Sequence, residues 1–243
     1  MKLKINRLNK DTNDFNTFEF EVSQENLLKA LEEIKTNDDS TLTYRCGCKS
    51  GVCGSCTVRV NGVEKLACRT NIKEGDLVEP LRNSKVIKDL VVDVSHETLL
   101  IKKTNIGIKE SSTQNISQAD VLKIDTQSNC ILCNACYSSC PVYNVNKEFL
   151  GPFALTKALR YENDVKSQNE NIINSVQTNA IWDCTLCSAC TFVCPQGIDP
   201  KMDIIQLQNI SSQKGYTNPY MNSFDNSIGF DSNDFGFDPN GSF

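Results

Sequence analysis

Histidine is nearly absent from this chain of 243 residues: His96 is the only one, and Trp182 is the only tryptophan. A single histidine argues against imidazole-based acid–base chemistry and excludes a Rieske centre, which needs two. His96 lies near an expected domain junction, where an incidental role is the simpler reading. No run approaches the roughly 18 apolar residues of a membrane-spanning helix, so membrane contact would need a partner or a surface patch. Lys+Arg number 25 against 30 Asp+Glu, a formal net charge of -5. With no basic concentration, no nucleic-acid footprint is visible. Met1-Lys-Leu-Lys opens an alternating polar stretch without the apolar centre of an export signal. The expected location is the cytoplasm, or the cytoplasmic face of a membrane reached through partners.

Cysteine, in contrast, is abundant, with 13 residues. The run Cys130-Ile-Leu-Cys133-Asn-Ala-Cys136-Tyr-Ser-Ser-Cys140-Pro141 recurs as Cys184-Thr-Leu-Cys187-Ser-Ala-Cys190-Thr-Phe-Val-Cys194-Pro195. Two copies of C-x₂-C-x₂-C-x₃-C-P are the ligand pattern of a two-cubane ferredoxin. Upstream, Cys48, Cys53, Cys56 and Cys68 have the C-x₄-C-x₂-C…C spacing of a plant-type [2Fe–2S] centre. Only Cys46 is left over. A disulfide framework fits poorly, since the count is odd and the spacings are those of metal ligation.

In such a pair the fourth cysteine of each run ligates the other cluster. The expected ligand sets are therefore crossed: Cys130, Cys133, Cys136 and Cys194 for cluster A, and Cys140, Cys184, Cys187 and Cys190 for cluster B. Zinc also takes four thiolates, but commonly from pairs of C-x₂-C elements. In the Cys48–Cys56 loop, Gly51, Gly54 and Ser55 suit close approach of backbone N–H groups to sulfur. Cys46 reads as a small buried or partly exposed thiol.

The order of elements predicts an α+β protein. Lys2 to about Val22 reads as two strands joined by the Asn9–Asp14 turn, carrying Phe15, Phe18 and Phe20. Leu27–Ile34 has helical spacing, with Ser23 or Asn26 as its cap. Leu42–Tyr44 is short and β-prone. Thr57–Cys68 reads as a hairpin around Asn61-Gly62. Asn105–Gln127 is expected to be a connector, loop-like around Ser111–Asn115. Gly151–Tyr161 has Pro152 at a helix start and an apolar face, Asn171–Val176 is a weaker helix, and Met202–Ile210 supplies a turn or two more. Each cluster run should contain a short helix closed by Pro141 or Pro195, with Trp182 against the helical core. The expected units are residues 1–104, 105–214 and a tail, 215–243. The tail has Asp225, Asp231, Asp234 and Asp238 but no Lys or Arg, and repeats Phe224, Phe230, Phe235, Phe237 and Phe243. It is either disordered or docked on a partner through its phenylalanines.

With these three groups in this order, the chain resembles the iron–sulfur subunit of the succinate dehydrogenase/fumarate reductase family over nearly everything up to about residue 212. Thr43-Tyr44-Arg45-Cys46-Gly47-Cys48 through Cys56, Gly151-Pro-Phe-Ala-Leu-Thr-Lys-Ala158 and Cys194-Pro-Gln-Gly197-Ile-Asp-Pro200 carry the likeness. The resemblance implies a β-grasp ferredoxin domain followed by an all-α ferredoxin domain. It also implies a partner subunit holding FAD and the dicarboxylate site, with electrons passing between FAD, [2Fe–2S], cluster A and cluster B. Two departures stand out. Quinone-serving members usually have a three-iron last cluster and a non-cysteine residue where this chain has Cys187, so a [4Fe–4S] cluster B is expected here. Such members also carry a tryptophan after the Cys-Pro matching Cys140-Pro141 and a histidine after the cysteine matching Cys184, where this chain has Val142 and Thr185. The expected third partner is therefore a cysteine-rich, heterodisulfide reductase-like subunit or a quinone module. No acid–base pair or nucleophile for dicarboxylate chemistry is visible, so no catalytic residue is expected. The alternatives are the wire of a related flavoprotein acting on another small acid, and a non-redox zinc protein.

Overall fold

The structure, a computed structural model, describes residues 1–9, 12, 14–104, 106–108, 111–167 and 171–221. Its N-terminal half is a sheet gripping one helix. Strands β1 (Lys2–Leu8), β2 (Phe15–Glu21), β3 (Thr57–Val60), β4 (Val63–Leu66) and β5 (Leu77–Glu79) lie in the order β2-β1-β5-β3-β4. The β1–β5 pair is parallel and the others are antiparallel. Helix α1 (Leu27–Asn37) buries Leu27, Leu28, Ala30, Leu31 and Ile34 in one core with Leu3, Ile5, Val58, Val60 and Val78 of the sheet. Asn26 is its cap, accepting the Lys29 N–H at 3.3 Å, while Ser23 donates instead to Glu33 at 2.9 Å. The predicted hairpin is present. Asn61 (φ 51°) and Gly62 (φ 83°) are both left-handed, as a two-residue primed turn requires. Leu42–Tyr44 is not a strand: the Thr43 N–H is taken by the Asp89 carboxylate at 2.8 Å, which removes it from any ladder. A small antiparallel pair, β6 (Val86–Lys88) and β7 (Val91–Val92), completes this half.

The C-terminal half is helical. Helix α2 (Ser95–Lys103) places Leu100 in the helical core. Next come α3 (Gln118–Ser128), α4 (Ala135–Ser139), α5 (Pro141–Val145), α6 (Pro152–Glu162), α7 (Ile172–Ser175), α8 (Ala189–Phe192) and α9 (Pro200–Gln213). Helix α3 corrects the expectation of a connector running to Gln127. Ser117 accepts the Asp120 N–H at 3.2 Å and Asp120 accepts the Ser117 N–H at 3.1 Å, a reciprocal capping box. None of its side chains is buried, so periodicity gave no sign of it. Helix α9 is also longer than expected, because Asp199 caps it at Met202 and Pro200 occupies its first turn. Pro141 opens α5 rather than merely closing α4. Trp182 does pack against the helical core, donating to Gln177 at 2.9 Å.

Beyond α9, Tyr216 packs on the core and Tyr220 donates to Asp183 at 2.6 Å. Residues 222–243, with all five tail phenylalanines and four aspartates, lie outside the described residues. Among the described residues no helix is long and apolar enough to cross a membrane.

The two halves are joined by buried polar contacts. Ser138 on α4 donates to Glu64 of β4 at 2.7 Å and accepts the Arg82 N–H at 2.9 Å. Asn83, left-handed at φ 66°, donates its side-chain amide to the carbonyls of Tyr137, Ser138 and Cys140 at 2.8–3.2 Å. It thus satisfies the open carbonyl end of α4 from the other half. Asn83→Ala should lower the stability of the cluster-loaded protein by about 1–3 kcal/mol, the cost of leaving such acceptors unsatisfied. Urea unfolding under anaerobic conditions measures it; an unchanged midpoint would refute the role.

Candidate iron–sulfur cluster sites

Eight cysteines line two cavities. One cavity is lined by Cys130, Cys133, Cys136 and Cys194. The other is lined by Cys140, Cys184, Cys187 and Cys190. Helices α6 and α9 supply wall to both: Phe153, Thr156 and Pro200 to the first, Pro152, Lys201 and Ile204 to the second. All thirteen cysteines are free thiols. Among the described residues no three His, Cys, Asp or Glu side chains converge closely enough for a single ion. Zinc would draw four sulfurs to about 2.3 Å around one point. Four thiols spread around a cavity instead suit a multi-atom cluster.

The two runs share one backbone shape. Leu132 and Leu186 are left-handed, at φ 53° and 54°, and so are Asn134 and Ser188, at 63° and 68°. A branched residue such as leucine avoids this region, and holding it there costs on the order of 1–3 kcal/mol. The strain turns the chain so that successive thiols face one centre. It also aims an amide at a ligand, with the Leu186 N–H 3.4 Å from Cys184 Sγ. Nothing in the one-letter sequence marks these leucines.

Burial pushes the cavity thiols up: Cys133 to about 11, Cys190 to about 12 and Cys136 well above its ordinary value. Cys130, Cys140 and Cys184 are raised for the same reason. Ionising three such thiols together in each cavity is favoured by positive charge inside it, which iron would provide.

The first group has a different character. Cys48 and Cys53 are exposed, Cys68 is half-buried, and Cys56 is buried at the start of β3. Here the backbone does the work of charge stabilisation. The N–H groups of Ser50, Val52 and Cys53 lie 3.3–3.4 Å from Cys48 Sγ and, with the Ser50 side chain, hold its thiol down to about 6. The Cys48 N–H points at Cys53 Sγ (3.3 Å) and the Cys68 N–H at Cys56 Sγ (3.5 Å). Burial raises Cys56 to about 11. A Cβ on Gly47 would lie 2.9 Å from Cys53 Sγ, so only glycine leaves room beside that sulfur. This donor set fits a [2Fe–2S] centre, whose potential is tuned by such hydrogen bonds. Cys46 is exposed.

The sites touch one another. A Cβ on Gly54 would lie 2.8 Å from Cys133 Cβ and 3.0 Å from Cys133 Cα, so the N-terminal loop rests directly on the first cavity's wall. Gln196, just past Cys194, donates to the Gly51 carbonyl at 3.1 Å. Sequence reasoning missed Asp203, which is buried and accepts from Gln127 (2.8 Å) and Thr156 (2.7 Å), tying α9 to α3 and α6. It also missed Glu97 and Tyr143, which with His96 form a hydrogen-bonded group beside Cys140.

Comparison with known proteins finds iron–sulfur domains in both halves. Residues 2–98 match the 2Fe-2S iron-sulfur cluster binding domain family, and residues 126–198 match the 4Fe-4S dicluster domain family. The chain is 38% identical over 201 residues to the fumarate reductase iron-sulfur subunit of Escherichia coli O6:H1, covering 78% of this chain and 82% of that one. It is 35% identical over 214 residues to the 8-methylmenaquinol:fumarate reductase iron-sulfur subunit of Wolinella succinogenes, covering 80% and 66%. Among solved structures, a chain of the Mycobacterium smegmatis Sdh1 complex in the apo form superposes with a TM-score of 0.79 at 25% identity, covering 89% of this chain and 97% of that one.

Gly54 and Gly75 provide a matched pair for testing the loop contact. Both have positive φ (69° and 80°), but a Cβ on Gly75 meets nothing within 4 Å. Alanine at either should cost about 1–2 kcal/mol of backbone strain. Only Gly54→Ala should also disturb Cys133, lowering iron content by about four atoms per chain. Equal iron in the two variants would show that the contact does not support the first cavity.

Proposed function

The chain belongs to the iron–sulfur subunits of the fumarate reductase/succinate dehydrogenase family, and from that membership we propose how its cysteines divide the work. It is the electron-transfer subunit, not the catalytic one, of such an oxidoreductase complex. In our reading Cys48, Cys53, Cys56 and Cys68 hold a [2Fe–2S] cluster. Cys130, Cys133, Cys136 and Cys194 hold a [4Fe–4S] cluster A, and Cys140, Cys184, Cys187 and Cys190 a [4Fe–4S] cluster B. The observation that carries this assignment is the segregation of eight thiols into two cavities in crossed sets. When bound, the clusters supply one-electron exchange between a two-electron flavin and a second partner.

The residues themselves arrange the path. Gly54 brings the N-terminal loop against Cys133, a cluster A residue. Helix α4 then runs from Cys136, at the first cavity, to Cys140, at the second. This contact sequence supports the order [2Fe–2S], A, B. Cys187 is exposed, with Leu186 36% accessible beside it, so the second cavity opens toward an exchange partner. On the other side, exposed Cys48, Cys53 and Val52 face outward from the N-terminal loop, where an FAD-bearing subunit with the dicarboxylate site would dock. Val142 and Thr185 stand where quinone-type relatives carry tryptophan and histidine. This favours a cysteine-rich third subunit over direct quinone chemistry on this chain, with the complex on the cytoplasmic side.

The test is anaerobic purification with native partners, iron and acid-labile sulfide analysis, and electron spin resonance during a redox titration. About ten irons per chain and no oxidised three-iron signal are expected. About nine irons with a clear three-iron signal would remove Cys187 from the ligand set. Cys187→Ser should by itself convert cluster B toward the three-iron form, at a cost of about one iron. The isolated chain should show no fumarate turnover, and the co-purifying flavoprotein identifies the substrate class.

A further inference from the structure

Glu97, in the first turn of α2, is 1% exposed and has no salt-bridge partner among the described residues. Its Oε1 accepts from Ser84 at 2.7 Å and from the Tyr143 hydroxyl at 3.2 Å, while its Oε2 is buried with no hydrogen-bond partner among the described residues. A buried carboxyl group with one empty oxygen is costly to leave in place, and the fold gives it no structural ion pair in return. The Tyr143 hydroxyl lies 2.8 Å from His96 Nδ1. The His96 side chain is 43% exposed, so a continuous hydrogen-bonded line leads from solvent through His96 and Tyr143 to Glu97. At its other end Tyr143 is tied to the second cavity, its backbone N–H 3.4 Å from Cys140 Sγ.

Other charges face this group. Lys147 sits 4.4 Å above the Tyr143 ring and donates to the Asn83 carbonyl; it attracts the Glu97 carboxyl electrostatically but makes no ion-pair contact with it. Glu148, paired with Lys103, stands 4.0 Å from His96 Nε2. Tyr137 packs edge-on against Tyr143 at 4.7 Å and gives its own hydroxyl to the Leu150 carbonyl. Burial, with Glu97 beside it, keeps the Tyr143 phenol neutral.

Resting on the assignment of Cys140 to cluster B, we infer that Glu97 is a proton-accepting site coupled to electron arrival at that cluster. One electron enters from the neighbouring carrier, as the subunit's activity supplies it, and one proton enters from water. The proton is taken at His96 Nε2, the Nδ1 proton passes to the Tyr143 oxygen, and the Tyr143 proton passes to Glu97. His96 ends as its other tautomer, Tyr143 is unchanged in charge, and Glu97 becomes neutral. The added electron and the added proton cancel within the same low-dielectric region, where each would be costly alone. By reciprocity, protonation favours reduction by the same factor that reduction favours protonation.

The experiment uses the intact complex, titrated across neutral pH with electron spin resonance and with reduced-minus-oxidised infrared difference spectra. The cluster B potential should fall with rising pH, approaching the tenfold change per pH unit that equals about 59 mV for one electron. The [2Fe–2S] potential should stay flat, because no hydrogen bond among the described residues joins Glu97 to Cys48, Cys53, Cys56 or Cys68. Reduction should bring up a protonated-carboxyl band. Glu97→Gln, which keeps the acceptor for Ser84 and Tyr143, should abolish both slope and band. A flat wild-type potential, or a slope and band that survive in Glu97→Gln, would overturn the inference. If Glu97→Gln fails to assemble, Glu97→Asp serves instead, and a band that does not move in it is equally fatal. Iron and sulfide content of the same samples report separately on the cluster assignment: a shortfall there removes the premise, whereas a full complement with no slope refutes the proton site alone.

Discussion

Cys140 and Cys194 each end a stretch of chain that starts beside one cavity and finishes beside the other, and the helical half is organised around that exchange. Cys136 and Cys140 are separated by a single short helix, α4, yet they line different cavities. Cys190 and Cys194 do the same around α8 in the opposite sense. Neither site can be assembled from its own run, so forming one draws in the other across the insert that carries α6. This explains why α6 and α9 wall both cavities and why Asp203, buried between them, is fixed by Thr156 and Gln127.

The same constraint reaches the N-terminal half. Asn83 caps the carbonyl end of α4, including that of Cys140, and Ser138 two residues earlier holds Glu64 of β4. The short helix that carries a thiol from one cavity to the next is thus also the surface on which the sheet docks. Gly54 and Gln196 make the second and third contacts, against Cys133 and Gly51. Contacts between residues 50–145 positions apart set the spacing of the three sites. That is a sounder way to fix a path than a linker, because buried polar groups left unmatched by a shift would each cost on the order of 1–3 kcal/mol.

Much of this was legible in the residues. Asn61-Gly62, Pro152 and the Leu27–Ile34 periodicity foretold a hairpin and two helices, because each follows from a local rule of backbone geometry. What escaped were features decided by distant partners or by absent signals. Helix α3 buries nothing, so it had no periodicity to read; Ser117-Gln-Ala-Asp120 was the available cue. Leu42–Tyr44 had strand character, but Asp89, 46 residues on, took its amide. The left-handed leucines are imposed by the cavities against their own preference. His96 looked incidental because its partner Tyr143 lies 47 positions away.

The three sites also divide the problem of placing negative charge in a protein. At Cys48 the chain answers with three backbone amides and open solvent, which lower the cost of the thiolate directly. In the first cavity, walled by Ile131, Leu132, Phe153 and Ile198, the amides of Leu132 and Ala135 favour the Cys130 and Cys133 thiolates, but burial outweighs them. The second is intermediate: Cys187 reaches solvent, Lys201 lines the wall, and the amides of Leu186 and Tyr143 point at sulfur. Hydrogen bonds and solvent exposure are levers on a cluster's potential. The three sites therefore use these levers in different proportions, amides and solvent at Cys48 and burial around Cys133 and Cys190.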